Sequence, residues 1–234
     1  MQVEIWSDVV CPWCYIGKRH FEAALARFPH AAEVEVINRA FELDPTTEKG
    51  VTEPTAERLA RKYGQTAGGV RTMQQRVQNT AARAGLDYGR LGETTSGNTL
   101  DVHRVLHLAA ARGLGDAAWE AFYAAYFVEA RPIFTDGDIV AAAVTAGLDA
   151  DEVHAVLDTD AYADRVADDI RSARTLGING VPFFVADRRY GVSGAQPADV
   201  LLAMLEQAWN DAHPVTLLTA GADDASCADD SCAV

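Results

Sequence analysis

The chain is poor in positive charge, in cysteine and in long apolar runs, and each shortage narrows what it can be. Its 234 residues carry 20 Lys and Arg against 34 Asp and Glu, a formal charge of −14. Such a surface repels phosphate backbones and anionic headgroups, so neither nucleic acid nor a membrane is an expected partner. No apolar run approaches the ~20 residues of a membrane span, and the N-terminus lacks a basic stretch leading into an apolar one. A cytoplasmic chain without a cleaved leader is therefore expected. Four cysteines, Cys11, Cys14, Cys227 and Cys232, are too few and too unevenly placed to staple a small core. Their use must be reactivity, metal binding, or none. What the chain does have is an apolar fraction of 49%, enough to bury a sizeable core.

Gln2 to Trp6 alternates polar and apolar residues and reads as a short strand. From Pro12 to Phe28 the apolar residues Tyr15, Phe21, Ala24, Leu25 and Phe28 recur at helical spacing, with Pro12 in a first turn that tolerates it and Pro29 as a stop. Residues 33 to 43 alternate again, so the opening is β-α-β. A Pro- and charge-bearing stretch follows, and then helical patterns at 56–63, 70–84, 98–112, 116–130, 138–146, 151–157 and 160–176. Gly85, Gly113, Gly147 and Gly177 sit just past helix ends, and Asp149 and Glu152 have the spacing of a capping box. Val181 to Ala186 and Tyr190 to Val192 read as a hairpin, and 197–210 as a closing helix. The expected organisation is an α/β unit built from 1–44 and 177–212, an all-helical insertion at 45–176, and an acidic tail at 213–234.

The informative segment is Cys11-Pro12-Trp13-Cys14, straight after a strand and opening a helix. The spacing puts Cys11 near the N-cap and Cys14 one turn in on the same face, where the two sulfurs can bond. Free amides and the positive helix end favour a thiolate at Cys11. Cys11 would attack and Cys14 would resolve the mixed disulfide, with Pro12 and Trp13 tuning the potential. Two other readings stay open: a pair of inert core cysteines, or a zinc site completed by Cys227 and Cys232. Val181-Pro182, entering an apolar strand after a glycine-bearing bend, has the sequence of a cis proline.

On Cys11-Pro12-Trp13-Cys14, Val181-Pro182, Ser193-Gly194-Ala195-Gln196-Pro197 and the stretch from Asn98 to Arg104, the sequence resembles the thioredoxin superfamily. Within it, the DsbA-like branch with a large helical insertion, and its FrnE-type members, are the most similar. The resemblance runs from about residue 2 to 212. It implies a thioredoxin fold with the helical domain inserted after the first β-α-β unit, and thiol-disulfide exchange with protein or small-molecule thiols as partners. It implies no cofactor beyond the dithiol, with glutathione as a conceivable substrate, no metal, and a monomer or homodimer. Val181 would present backbone groups to an extended peptide or to glutathione. Many relatives carry a buried acid where this chain has Ile5, so proton transfer must use water, Asp8 or Glu4. A related branch of glutathione transferases and 2-hydroxychromene-2-carboxylate isomerases shares the fold. Its isomerases commonly have Ser at the first Cys position, and both cysteines here favour redox chemistry.

His103 and His107 lie four apart on one helical face, without an evident third metal ligand, since Asp101 points elsewhere. His103, or Arg104 beside it, is a candidate polar contact for substrate. Trp119, Phe122, Tyr123, Tyr126 and Phe127 form a stripe that reads as the insertion's core, with one or two of them available to line a groove. Trp13, between the cysteines, is expected to be exposed and to meet substrate. Cys227 and Cys232, among acidic residues that disfavour their thiolates, read as an auxiliary redox pair that a tail could bring to the active site.

Overall fold

The computed structural model describes residues 1–214. The chain opens with β1 (Gln2–Ser7), α1 (Pro12–Leu25) and β2 (Glu35–Ala40). β1 and β2 are parallel, Gln2 facing Glu35 and Ser7 facing Ala40. Next come β3 (Glu53–Pro54), α2 (Thr55–Tyr63), α3 (Ala67–Arg83), β4 (Thr95–Ser96), α4 (Leu100–Ala111) and α5 (Gly115–Tyr123). After α5 the insertion continues through α6 (Asp136–Thr145), α7 (Ala150–Leu157) and α8 (Ala163–Thr175). The hairpin β5 (Phe183–Ala186) and β6 (Tyr190–Ser193) and the helix α9 (Ala198–Ala212) complete it. β5 runs antiparallel to β1, giving a mixed sheet of order β2-β1-β5-β6. This is the α/β unit with helices inserted after the first β-α-β that the sequence implies.

Because β1 is buried on both faces, its alternate residues serve two layers. Val3 and Ile5 pack with Phe184 against Phe21 and Ala24 of α1 and Leu201 and Leu205 of α9. Trp6, on the other face, packs with Val185, Ile178 and Ala173 of α8, and its indole N–H donates to the Asp169 carbonyl at 3.0 Å. Each such fully buried side chain contributes roughly 1.5–3 kcal/mol of transfer free energy. α8, read from the sequence as the insertion's last helix, thus also roofs the sheet. α1 turns its remaining residues, Cys14, Tyr15 and Ile16, into the largest apolar cluster, shared with the insertion. Ionic contacts reinforce that joint: the Tyr15 hydroxyl donates to Glu120 at 2.5 Å, and Arg19 and Lys18 pair with Glu120.

Two local expectations are corrected, and one element has no counterpart in the sequence reading. The helix read at 116–130 is α5 followed by a π-helical turn, Ala124–Val128, which aromatic periodicity does not distinguish from α-helix. Asp149 caps α7 by accepting from the amides of Asp151 and Glu152, without a reciprocal bond from Glu152. The reciprocal capping box is Thr135 with Asp138, at the start of α6. The two-residue pair β3–β4, Glu53 opposite Ser96, has no signal in the sequence because neither piece is long enough to show alternation.

Candidate active site

Cys11 is the N-cap residue of α1, at φ −89° and ψ 110°, with Pro12 in the first turn and no capping bond from its side chain. The loop before it is closed by the Cys11 amide donating to the Asp8 carbonyl at 3.1 Å. With its sulfur free of a capping role, Cys11 directs its thiol to the Val181 carbonyl at 3.5 Å. The two sulfurs are not joined in a disulfide. Cys14, one turn in, is almost fully buried, and burial, with a hydrogen bond to Cys11 and the Cys11 charge next, pushes its thiol well above the usual range. Cys14 therefore holds its proton at neutral pH.

The Val181–Pro182 peptide is cis, as its position before a short strand suggests. Two glycines hold it. Gly17 of α1 faces the ring: a Cβ there would lie 2.9 Å from Pro182 Cγ. Gly194, at a positive φ of 82°, donates its amide to the Pro182 carbonyl at 2.8 Å. The resemblance-bearing segments around Cys11, Val181 and Gly194 thus meet at one point.

That point opens into a cleft of about 340 Å³ between the sheet unit and the insertion. Cys11, Trp13 and Val181 line one side, while Leu59, Met73 and Val77 of α2 and α3 form an apolar wall opposite. Lys62 of α2 borders the cleft, and Arg58 beside it is paired with Asp44 and Glu53. Trp13 is 40% exposed and Cys11 only 4%, so the thiol is reached through the cleft. Tyr126 and Phe127, carried round by the π-helical turn, reach the cleft too. The other stripe aromatics, Trp119, Phe122 and Tyr123, are core, and Tyr123 stacks on Tyr15 at 4.8 Å. The contributions of α2 and α3 carried no signal in the sequence, since their inward residues look like ordinary amphipathic spacing.

The expectation for His103 is corrected. It has no exposed surface, so it cannot touch substrate; its Nε2 lies 3.3 Å from the Asp8 carboxylate. Arg104 is also structural, bound to Asp101 at 2.6 Å and to the carbonyls of Val156, Thr159 and Ala161. His107 faces a different carboxylate, Asp169, at 3.0 Å, so the two imidazoles serve separate partners. Of the two acids left open, Glu4 lies on the α8 side of the sheet and is held by Arg39 and Arg188. Asp8 lines the cleft. Cys227 and Cys232 lie outside the described residues, and with them the zinc and auxiliary-pair readings.

The fold and the dithiol-bearing helix define a thioredoxin-like chain. Residues 2–206 match the model of the DsbA-like thioredoxin domain, and the chain belongs to that family. A protein from Streptomyces coelicolor assigned as a DsbA oxidoreductase is similar at 50% identity over 94% of both chains, with a TM-score of 0.88. The cytosolic disulfide reductase DsbM from Pseudomonas aeruginosa, solved with glutathione, shares the fold at 19% identity over 90% of this chain and 100% of its own, TM-score 0.61. A 2-hydroxychromene-2-carboxylate isomerase shares it at 13% identity over 91% of this chain and 98% of its own, TM-score 0.59. A search of curated proteins finds no match. No helix among the described residues is long and apolar enough to cross a membrane.

Proposed function

We propose that this chain is a thiol-disulfide oxidoreductase in which Cys11 attacks and Cys14 resolves. The observation that carries the reading is the placement of Cys11: an N-cap thiol, free of capping, 3.5 Å from the Val181 carbonyl at the floor of an apolar cleft. An extended peptide or a small thiol seated along Val181 would bring its disulfide to that sulfur. Cys11 then attacks one substrate sulfur, the other leaves as a thiolate, and a mixed disulfide forms at Cys11. Cys14 attacks Cys11 Sγ, the remaining substrate thiol leaves, and the chain holds the Cys11–Cys14 disulfide while the substrate has gained two electrons. Two molecules of a thiol such as glutathione restore the dithiol. Trp13 supplies apolar contact at the mouth, and Lys62 suits a substrate bearing a carboxylate. In a reducing cytoplasm, where the chain is read to reside, the reductase or isomerase direction follows.

The test is equilibration in graded glutathione buffers, alkylation of free thiols and intact mass. Expected are a two-electron midpoint for the wild type and, in Cys14→Ser, one glutathione retained at Cys11. Absence of both overturns the reading. Activity that survives Cys14→Ser undiminished would favour a glutathione-dependent transferase or isomerase instead, and bound metal a zinc module.

A further inference from the structure

A strand at the edge of a sheet normally carries something that keeps other chains off it, such as a proline, an outward lysine or a bulge. β2 is the edge of the four-stranded sheet, yet its six residues include neither Pro nor Lys. Its register with β1 is unbroken, and its one cation, Arg39, is drawn to Glu4 and Asp169. We propose that this edge is a docking site for a partner protein. The partner supplies an extended segment with apolar side chains on one face and Lys or Arg on the other, and the segment adds a strand to the sheet.

Hydrogen bonds at the two ends of β2 fix which backbone groups are free. The Glu35 amide donates to the Met1 carbonyl at 2.9 Å and the Phe41 amide to the Ser7 carbonyl at 3.0 Å. Odd-numbered residues therefore bond to β1, and Val36, Asn38 and Ala40 turn their N–H and C=O outward. The Ala40 amide is already taken by Asp169 Oδ2 at 2.9 Å. Val36 and Asn38 are left with two donors and two acceptors in a row, the ladder that an added strand completes. This edge opens into a hollow of about 650 Å³ whose other walls are α1, α4 and α5, within the roughly 300–1,000 Å³ of ligand clefts. The hollow shares no lining residue with the cleft at Cys11. A docked segment would leave that cleft open, and the site stands whether or not Cys11 acts as proposed.

The side chains around the edge specify the occupant. Val36 lies beside Val3 in the register, on the face of the sheet that α1 covers, and Phe21 and Leu25 of α1 line the hollow there. Every second residue of a docked strand points to that face and should be apolar. Glu35, on the opposite face, is exposed and meets only the Gln2 amide group, at 3.2 Å. Elsewhere on the rim, Lys18 is shared by Glu22 and Asp116. Three carboxylates thus face one ammonium, and a cationic segment restores the balance. A second copy is the poorer occupant: each chain carries a charge of −14, and α4 and α5 beside the opening leave room for one extended chain rather than for another folded sheet.

The probe is a fluorescein-labelled peptide as long as β2, alternating Val and Lys, free of cysteine and blocked at both ends, added to the full-length protein. Expected are one-to-one saturation in fluorescence anisotropy and amide exchange slowed at least about tenfold at Val36 and Asn38. Methylating alternate nitrogens of the peptide removes the N–H groups that face β2 and keeps every side chain; it should weaken binding at least about tenfold. Glu in place of Lys in the peptide should weaken it as well, and Glu35→Lys should reverse that preference. Trp13→Ala, in the other cleft, should leave the affinity within about twofold. No saturation, equal binding of the methylated or the acidic peptide, an unreversed preference in Glu35→Lys, or a loss in Trp13→Ala overturns the proposal. So does protection of Val36 and Asn38 before any peptide is added. In a chain that sediments as a dimer, that protection assigns the edge to a second copy, and in a monomer to a segment of the chain itself.

Discussion

Helix α1 faces two cores, and the two differ in kind. Its sheet-side residues, Phe21 and Ala24, join Val3, Ile5, Phe184 and Leu201 in a cluster of simple apolar packing. Its other side places Cys11, Cys14 and Tyr15 among Tyr88, Tyr123 and Phe127 of the insertion, an aromatic cluster with hydroxyls that reach polar groups, as Tyr88 does to the Pro12 carbonyl at 3.1 Å. The sheet core therefore holds the helix in place, while the insertion core determines how dry, how polar and how protonated the dithiol is. A dithiol that sits at the head of one unit takes its surroundings from the other.

The widest break in that comparison comes from truncating one aromatic on each side. Phe184→Ala and Tyr123→Ala each remove a fully buried ring and should each cost about 3–5 kcal/mol, seen as a lower midpoint in denaturant. Their effects on chemistry should part company. Below its transition, Tyr123→Ala should admit water to Cys14 and speed its alkylation severalfold, whereas Phe184→Ala should leave that rate unchanged. Equal effects on Cys14 would mean that the two cores are not separate.

How much of this was legible follows the same division. The sheet unit declared itself through period-2 alternation at Gln2–Trp6 and 33–43 and through the apolar run at 181–186, because a strand's pattern is set by the two faces it divides. Cys11 and Cys14 were legible because their spacing, with Pro12, has chemical meaning by itself. The role of His103 was misread as substrate contact, since its partner Asp8 is distant in sequence and no periodicity links a loop carboxylate to a helix in an inserted domain. The π-helical turn at Ala124–Val128 and the strand pair β3–β4 escaped for a related reason: one extra residue in a turn, or two residues in a strand, leaves no period to detect.

A smaller break acts at the contact between α1 and the cis proline. Gly17→Ala sets a methyl 2.9 Å from Pro182 Cγ and 3.3 Å from Phe184 Cζ, and neither ring can swing away. The expected cost is about 1–3 kcal/mol. Because the displaced group carries Val181, peptide-disulfide reduction should also slow, with KM raised more than kcat is lowered. Normal stability with normal turnover would show that the proline is free to give.

Titration sharpens the comparison without mutating either core. Burial raises the Cys14 thiol in the folded chain, while in the unfolded chain it ionises near its ordinary value of about 8.5. Above that value the unfolded state has lost a proton that the folded state still holds, so stability falls with rising pH; below it the contribution is fully present. Thermal midpoints of the reduced protein should therefore drop more steeply between about pH 8 and 10 than those of Cys14→Ser. Parallel curves would place Cys14 in a wetter site than the insertion core provides.

The smallest effect on the fold is expected where α1 leaves both cores, at Trp13. With 40% of its surface exposed, Trp13→Ala should change stability by no more than about 0.5 kcal/mol. Its ring nonetheless borders the cleft beside Cys11, so its loss should be felt by substrate: a raised KM for an apolar peptide disulfide, and little change for a small polar one such as oxidised glutathione. The pairing of the two substrates is what makes the measurement informative. Equal losses on both would mean that Trp13 tunes the sulfur of Cys11 rather than greeting the chain attached to the disulfide, and no loss on either would assign the apolar contact to the α2–α3 wall alone.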